Sequence, residues 1–213
     1  MKALVLLVCL SVSCFAQRPQ PCSSPQMMSG GLSVSTQNEK LLVFAKYSYD
    51  AIGKRIRIKE LGTYHNDTFH LDVLLLYRQG VMYKINERSR TCLKKRLTED
   101  FHPLAIPQDA ALISQAVLGS SSVPGEGVTV NMWTGELQMK KGTAKYLSTV
   151  TEFGCVPVST LFSTDRKGWV VASFFNNIIG LADPQDLTPP AFCKNSQLEE
   201  EEGEHLMSFL SLF

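Results

Sequence analysis

The chain has 213 residues, and its 21 Lys and Arg against 20 Asp and Glu give a formal charge of +1. That balance excludes a nucleic-acid binder, which draws most of its affinity from a basic excess, and the length suits one domain with a substantial core. In chain order, Met1-Lys2 is a short positive start, Ala3 to Leu10 is an unbroken apolar run and Cys14-Phe15-Ala16 ends on a small residue. This is a secretory signal peptide over residues 1–16, cleaved after Ala16. Its apolar run is shorter than the about 20 residues that span a bilayer, and no later segment approaches that length, so an exported chain without a transmembrane segment is expected.

Gln17 to Gln26 holds three prolines and Cys22. Proline fixes φ and lacks an N–H donor, so this stretch reads as an extended arm. From Gly31 onward the apolar residues recur with period two or in short runs rich in β-branched and aromatic side chains, the mark of strands half or wholly buried in a sheet. Leu41 to Tyr49, a turn at Asp50 to Gly53 and the alternating Arg55-Ile56-Arg57-Ile58 form one expected hairpin. Phe69 to Tyr77, the turn Arg78-Gln79-Gly80 and Val81 to Ile85 form a second. Pro107 to Leu118 is the one internal segment expected to form a short helix, on its alanines and isoleucine. Gly127 to Trp133 is expected as a strand entering a turn at Thr134-Gly135, Tyr146 to Val158 as one long β-prone stretch and Trp169 to Phe175 as another strand. After Thr188-Pro189-Pro190 the chain turns toward Cys193, and residues 199–213 form an acidic, then apolar, tail suited either to a short amphipathic helix or to no fixed structure.

Cys9 and Cys14 leave with the signal peptide, so Cys22, Cys92, Cys155 and Cys193 remain. Four cysteines in an oxidising compartment predict two disulfides, with three pairings open. They contain no CxxC pair, and His65, His70, His102 and His205 are too scattered for a metal pair, which argues against structural zinc. No G-x-S-x-G, H-E-x-x-H or P-loop sequence is present, so the chain reads as a non-enzyme. Asn66-Asp67-Thr68 is the one N-x-S/T sequon and a glycosylation site in a polar turn.

Several sequence pieces, taken in order, carry a family resemblance. They are Pro21-Cys22-Ser23-Ser24-Pro25, Tyr47-Ser48-Tyr49-Asp50, Leu75 through Ile85, Ile106-Pro107, Leu118-Gly119-Ser120, Gly154-Cys155-Val156-Pro157-Val158, Phe174-Phe175, Asp183-Pro184 and Thr188-Pro189-Pro190-Ala191-Phe192-Cys193. In these the chain resembles the ependymins and the mammalian ependymin-related protein, over residues 17–198. The resemblance implies an all-β fold of two stacked, strongly curved antiparallel sheets with short helical segments, enclosing an apolar cleft as in bacterial periplasmic lipoprotein carriers. It also implies pairing of Cys22 with Cys155 and of Cys92 with Cys193, and a homodimer.

Leu41-Leu42-Val43-Phe44, Val73-Leu74-Leu75-Leu76 and Trp169-Val170-Val171 are apolar on both faces and would expose oil unless a second layer or a ligand covers them. A two-sheet core is one account of them. The cleft of the resembled family adds the other, a bound fatty acid or similar lipid, with Phe44, Leu74, Leu76, Met82, Trp133, Phe174 and Phe175 as expected lining. The family resemblance also raises calcium, for which Glu199, Glu200, Glu201, Glu202 and Glu204 are the carboxylates available. They lack the bent, Asp-rich loop of a closed calcium cage, so a weak site or a solvated tail is expected. Two rivals to the carrier stand: a calcium-dependent extracellular-matrix adhesion protein with no true ligand, and a lipid-handling protein of the lysosomal lumen.

Overall fold

The computed structural model describes residues 18–37, 41–65, 67–139, 142–164 and 168–199. Among the described residues twelve strands follow one another: β1 Met27–Thr36, β2 Leu41–Asp50, β3 Arg55–Tyr64, β4 Asp67–Leu76, β5 Val81–Asn86, β6 Thr91–Arg96, β7 Ala111–Gly119, β8 Gly127–Met139, β9 Gly142–Thr151, β10 Pro157–Thr164, β11 Gly168–Ile179 and the short β12 Leu198–Glu199. They join in one curved, open sheet in the order β12-β6-β5-β4-β3-β2-β1-β11-β10-β9-β8-β7. Among the described strands only β12 runs parallel to its neighbour. The all-β expectation holds. The two expected sheets are two meanders, β1 to β6 and β7 to β11, knitted into one ladder where β1 pairs with β11.

This order forces a crossing. β6 lies near one end of the sheet and β7 at the other, so residues 97–110 traverse the molecule between them. Their apolar side chains Leu97, Phe101, Leu104 and Ala110 pack on the main core, while Ile106 is buried against Trp133, Val150 and Cys155. The N-terminal arm runs alongside: Ser23 bridges Ala105, Ile106 N–H donates to the Cys22 carbonyl, and Cys22 is disulfide-bonded to Cys155 in the turn between β9 and β10.

Alternation along the strands sets the two faces of the sheet. On the inner face β2 presents Val43, Ala45, Tyr47 and Tyr49, β3 presents Ile56 and Ile58, and β4 presents Val73 and Leu75, all buried. On the outer face Leu74 and Leu76 are also buried, because the segment holding two 3-10 turns, Pro184–Leu187 and Ala191–Cys193, folds over them. Leu187 enters the cluster of Leu74, Leu76, Tyr83 and Ile85, and Cys193 is bonded to Cys92. Ion pairs fasten the same flap. Arg57 holds Asp72 through Nε and Nη2, at 2.8 and 2.7 Å, and donates from Nη1 to the Asp186 carbonyl, while Lys59 reaches the Asp186 carboxylate at 2.6 Å. The two-sided apolar run Val73 to Leu76 is therefore covered on both sides by the chain's own residues.

Three expectations are corrected. Ala111–Gly119 is a strand, because the edge of β8 offers it a hydrogen-bond ladder that outweighs the helix propensity of its alanines. Thr134-Gly135 lies inside β8, and Gly135 is there because the Tyr146 ring sits where a Cβ would be, its Oη 2.7 Å from that position. The stretch Tyr146 to Val158 is two strands, folded at Cys155, whose backbone has φ of 51°. Both expected hairpins form; Asp50 Oδ1 accepts from Gly53 N–H in the first, and Gly80 at φ of 62° closes the second.

Candidate functional site

The inner face carries a continuous row of directly opposed residues: Phe69, Gly62, Val43, Val34, Ala172, Thr160, Ser148, Trp133 and Leu112. The adjacent row is Leu71, Glu60, Ala45, Leu32 and Phe174. Opposed residues in antiparallel strands share a face, so these side chains, drawn from every strand between β4 and β7 in the sheet order, form one mostly apolar surface.

The crossing segment closes one end of this surface. Phe101 stacks on Tyr49 at 6.0 Å and meets Tyr77 edge-on at 5.2 Å, and the Tyr49 hydroxyl accepts from Leu104 N–H at 3.0 Å. Burial pushes the Tyr77 phenol up to about 12, with the Glu99 charge adding to the effect. Four residues further along the strands, about 13 Å at about 3.3 Å per residue, the cover thins. Leu41, Phe69 and Leu71 are there only partly buried, with Glu60 among them.

Glu60 faces inward because it follows Ile56 and Ile58 at period two. Its carboxylate has no hydrogen bond or ion pair among the described residues, and burial alone pushes its pKa from 4.5 to about 7. Among the described residues two further polar atoms on this face, Trp133 Nε1 and Tyr146 Oη, are fully buried without a partner. Each such group costs about 1 to 3 kcal/mol.

The seven residues expected to line a cleft divide. Met82, Trp133 and Phe174 are on the inner face, Trp133 and Phe174 buried and Met82 half-buried. Leu74 and Leu76 face outward under the Pro184–Leu187 flap. Phe44 and Phe175 also face outward and are 55% and 41% exposed, so the seven do not make one lining. Expectation missed Glu60, Phe69 and Leu71, although the charge in the apolar alternation Ile56, Ile58, Glu60 is a readable signal.

Cys22 bonds Cys155, and Cys92 bonds Cys193. The sequon begins just after His65, between the ends of β3 and β4; Asn66 itself lies outside the described residues. Among the described residues no group of three or more His, Cys, Asp or Glu could hold a metal. Glu199 is exposed at the β12 edge, and Glu200, Glu201, Glu202 and Glu204 lie outside the described residues. Among the described residues no helix is long and apolar enough to cross a membrane.

These features define a β protein built on one open sheet, stapled by two long-range disulfides, with a self-covered outer flap and a partly open inner face. Its fold is shared with a conserved, uncharacterized protein of Thermus thermophilus: the TM-score is 0.52 at 10% identity, with 84% of this chain and 91% of that one covered. The chain belongs to the ependymin family, whose model matches residues 65–193. It is 33% identical over 215 residues to Ependymin-2 of Carassius auratus and 34% identical over 215 residues to Ependymin of Notemigonus crysoleucas, with 98% of each chain covered in both cases. Ependymin-1 of Oncorhynchus mykiss is 33% identical over 217 residues, covering 99% of this chain and 96% of its own.

Proposed function

We propose that this protein is an exported, non-catalytic carrier that holds an apolar or amphiphilic small molecule against the inner face of its sheet. The observation that carries the reading is the partly uncovered patch of Leu41, Phe69 and Leu71 at one end of a mostly apolar surface whose middle, from Val43 through Ala172, is buried. A hydrocarbon chain laid there gains roughly 0.8 kcal/mol per methylene removed from water, less the cost of association, so micromolar binding needs no special chemistry. The leader and the Asn66 sequon support export as a glycoprotein. The test is titration of delipidated protein with a fluorescent fatty-acid analogue, with Leu71→Asp as the control. Saturable binding lost in the variant is expected, and a featureless titration removes the reading.

A second proposal concerns the outer face. Leu42, Phe44 and Leu61 are 44%, 55% and 49% exposed on neighbouring strands, with Phe44 directly opposite Leu61. An apolar band of this kind suits association of two copies. Sedimentation should show a dimer that Phe44→Ser shifts toward monomer; an unshifted equilibrium counts against this face.

A further inference from the structure

The residue on the inner face that packing does not explain is Glu60. Its cross-strand neighbours are Ala45 and Leu71, and its neighbours along the same face of β3 are Ile58 and Gly62. The diagonal positions are Val43 and Tyr47 on β2, and Phe69 and Val73 on β4. None of these carries a charge. The nearby lysines of β2 and β3, Lys46 and Lys59, project from the opposite face, being one residue out of phase. The inner-face lysines Lys84 and Lys95 stand two and three strands away, at the β5 and β6 edge. A core position filled only for packing would hold Val or Leu, since an unpaired carboxylate on an apolar wall is a net cost. That Glu60 sits where the cover is thin places this cost where a bound molecule can relieve it.

We infer that Glu60 is the polar anchor of the carrier face, selecting amphiphiles whose head is a protonated amine over alcohols and carboxylates of the same chain length. An ammonium head placed at Glu60 converts an unpaired charge into a charge-assisted hydrogen bond, while the hydrocarbon lies along Leu71, Phe69 and Leu41. An alcohol supplies only a neutral donor. A carboxylate brings like charge to the same spot. The raised pKa of Glu60, caused by burial with no charge partner among the described residues, agrees with a site awaiting a cation. This inference rests on the carrier reading and adds the class of head group.

The experiment displaces a bound fluorescent acyl probe with dodecylamine, dodecanol or dodecanoate at about pH 8, where Glu60 is mostly ionised and the amine protonated. It is run on the wild-type chain and on Glu60→Gln. Dodecylamine should displace the probe roughly 10- to 100-fold more tightly than dodecanol, the range of a hydrogen bond to a charged group. Glu60→Gln should erase that preference, bringing dodecylamine and dodecanol to similar affinities. As a check that does not depend on folding of the variant, the Glu60 carboxyl 13C resonance of the wild-type protein should shift with dodecylamine and hold still with dodecanol. Equal affinities, a preference that survives in Glu60→Gln, or an unmoved resonance overturns the inference. Tightest binding by dodecanoate overturns it in favour of recognition at Lys84 and Lys95. If the acyl probe itself does not bind saturably to the wild-type chain, the carrier reading falls and the anchor with it.

Discussion

Replacing Glu60 by Gln removes a charge while keeping the shape of the side chain, and its effect on stability has a sign fixed by the structure. Burial lifts the carboxyl pKa from 4.5 to about 7 in the folded chain. The folded state then binds more protons than the unfolded state between these values, so stability falls as pH rises through that window. Below about pH 4.5 both states are protonated and Glu60 costs nothing by ionisation. Above about pH 7 both are ionised and the full cost is present, up to about 3 kcal/mol at about 1.4 kcal/mol per pKa unit. Water reaching the half-buried carboxylate reduces this, leaving about 2 kcal/mol. Gln does not titrate, so any packing change it brings is the same at every pH. Urea unfolding of the oxidised protein, followed by the fluorescence of the buried Trp133, should therefore give a Glu60→Gln advantage that grows from near zero at about pH 4.5 to about 2 kcal/mol at about pH 8. A difference that stays flat across this range, or that favours the wild type more as pH rises, refutes the placement of an unpaired carboxylate on the inner face.

Other perturbations test the rest of the framework. Tyr146→Phe deletes a buried hydroxyl that has no partner among the described residues, so it should be neutral or stabilising by about 1 kcal/mol in the same urea assay, against the usual loss when a bonded Tyr is truncated. Asp72→Ala breaks the two-pronged pair with Arg57, which is 6% exposed. Leaving that guanidinium to Asp186 and Glu87 alone should cost about 2 to 4 kcal/mol, below or near the low end of what an abandoned buried charge costs, and Arg57→Met with Asp72→Leu should recover part of it. Replacing Cys92 and Cys193 together by Ser opens a link across a separation of 101 residues. The chain-entropy model gives on the order of 4 to 5 kcal/mol, and hydrogen exchange should accelerate first in residues 184–193, which that bridge holds over Leu74 and Leu76.

Much of the fold was legible because period two is a local signal. In Leu41 to Ile58 the residue pattern marked the strands and the turn, and the alternation Arg55-Ile56-Arg57-Ile58 marked a wet and an apolar face, while Arg78-Gln79-Gly80 marked the second turn. The helix expected after Pro107 failed because whether an alanine-rich segment joins a sheet depends on an edge being beside it, and that edge, β8, follows later in the chain. The expected lining failed for a related reason. Phe44, Leu74, Leu76 and Phe175 are as apolar as Met82 and Phe174, and hydrophobicity does not say which face a strand turns inward.

By itself the sequence identified a strand-built chain of the ependymin family, with a leader from which export is expected and four cysteines from which two disulfides are expected, since leader, alternation and ordered motifs are each read from residues near one another. Only the tertiary structure decided that the two meanders join through β1 and β11, that residues 97–110 cross the inner face, and that Pro184–Leu187 covers Leu74 and Leu76. It also decided that Glu60 stands unpaired among the described residues, where that cover thins. Burial and charge pairing are set by which distant segment lies on top, and contacts between segments far apart in sequence leave no periodicity along the chain.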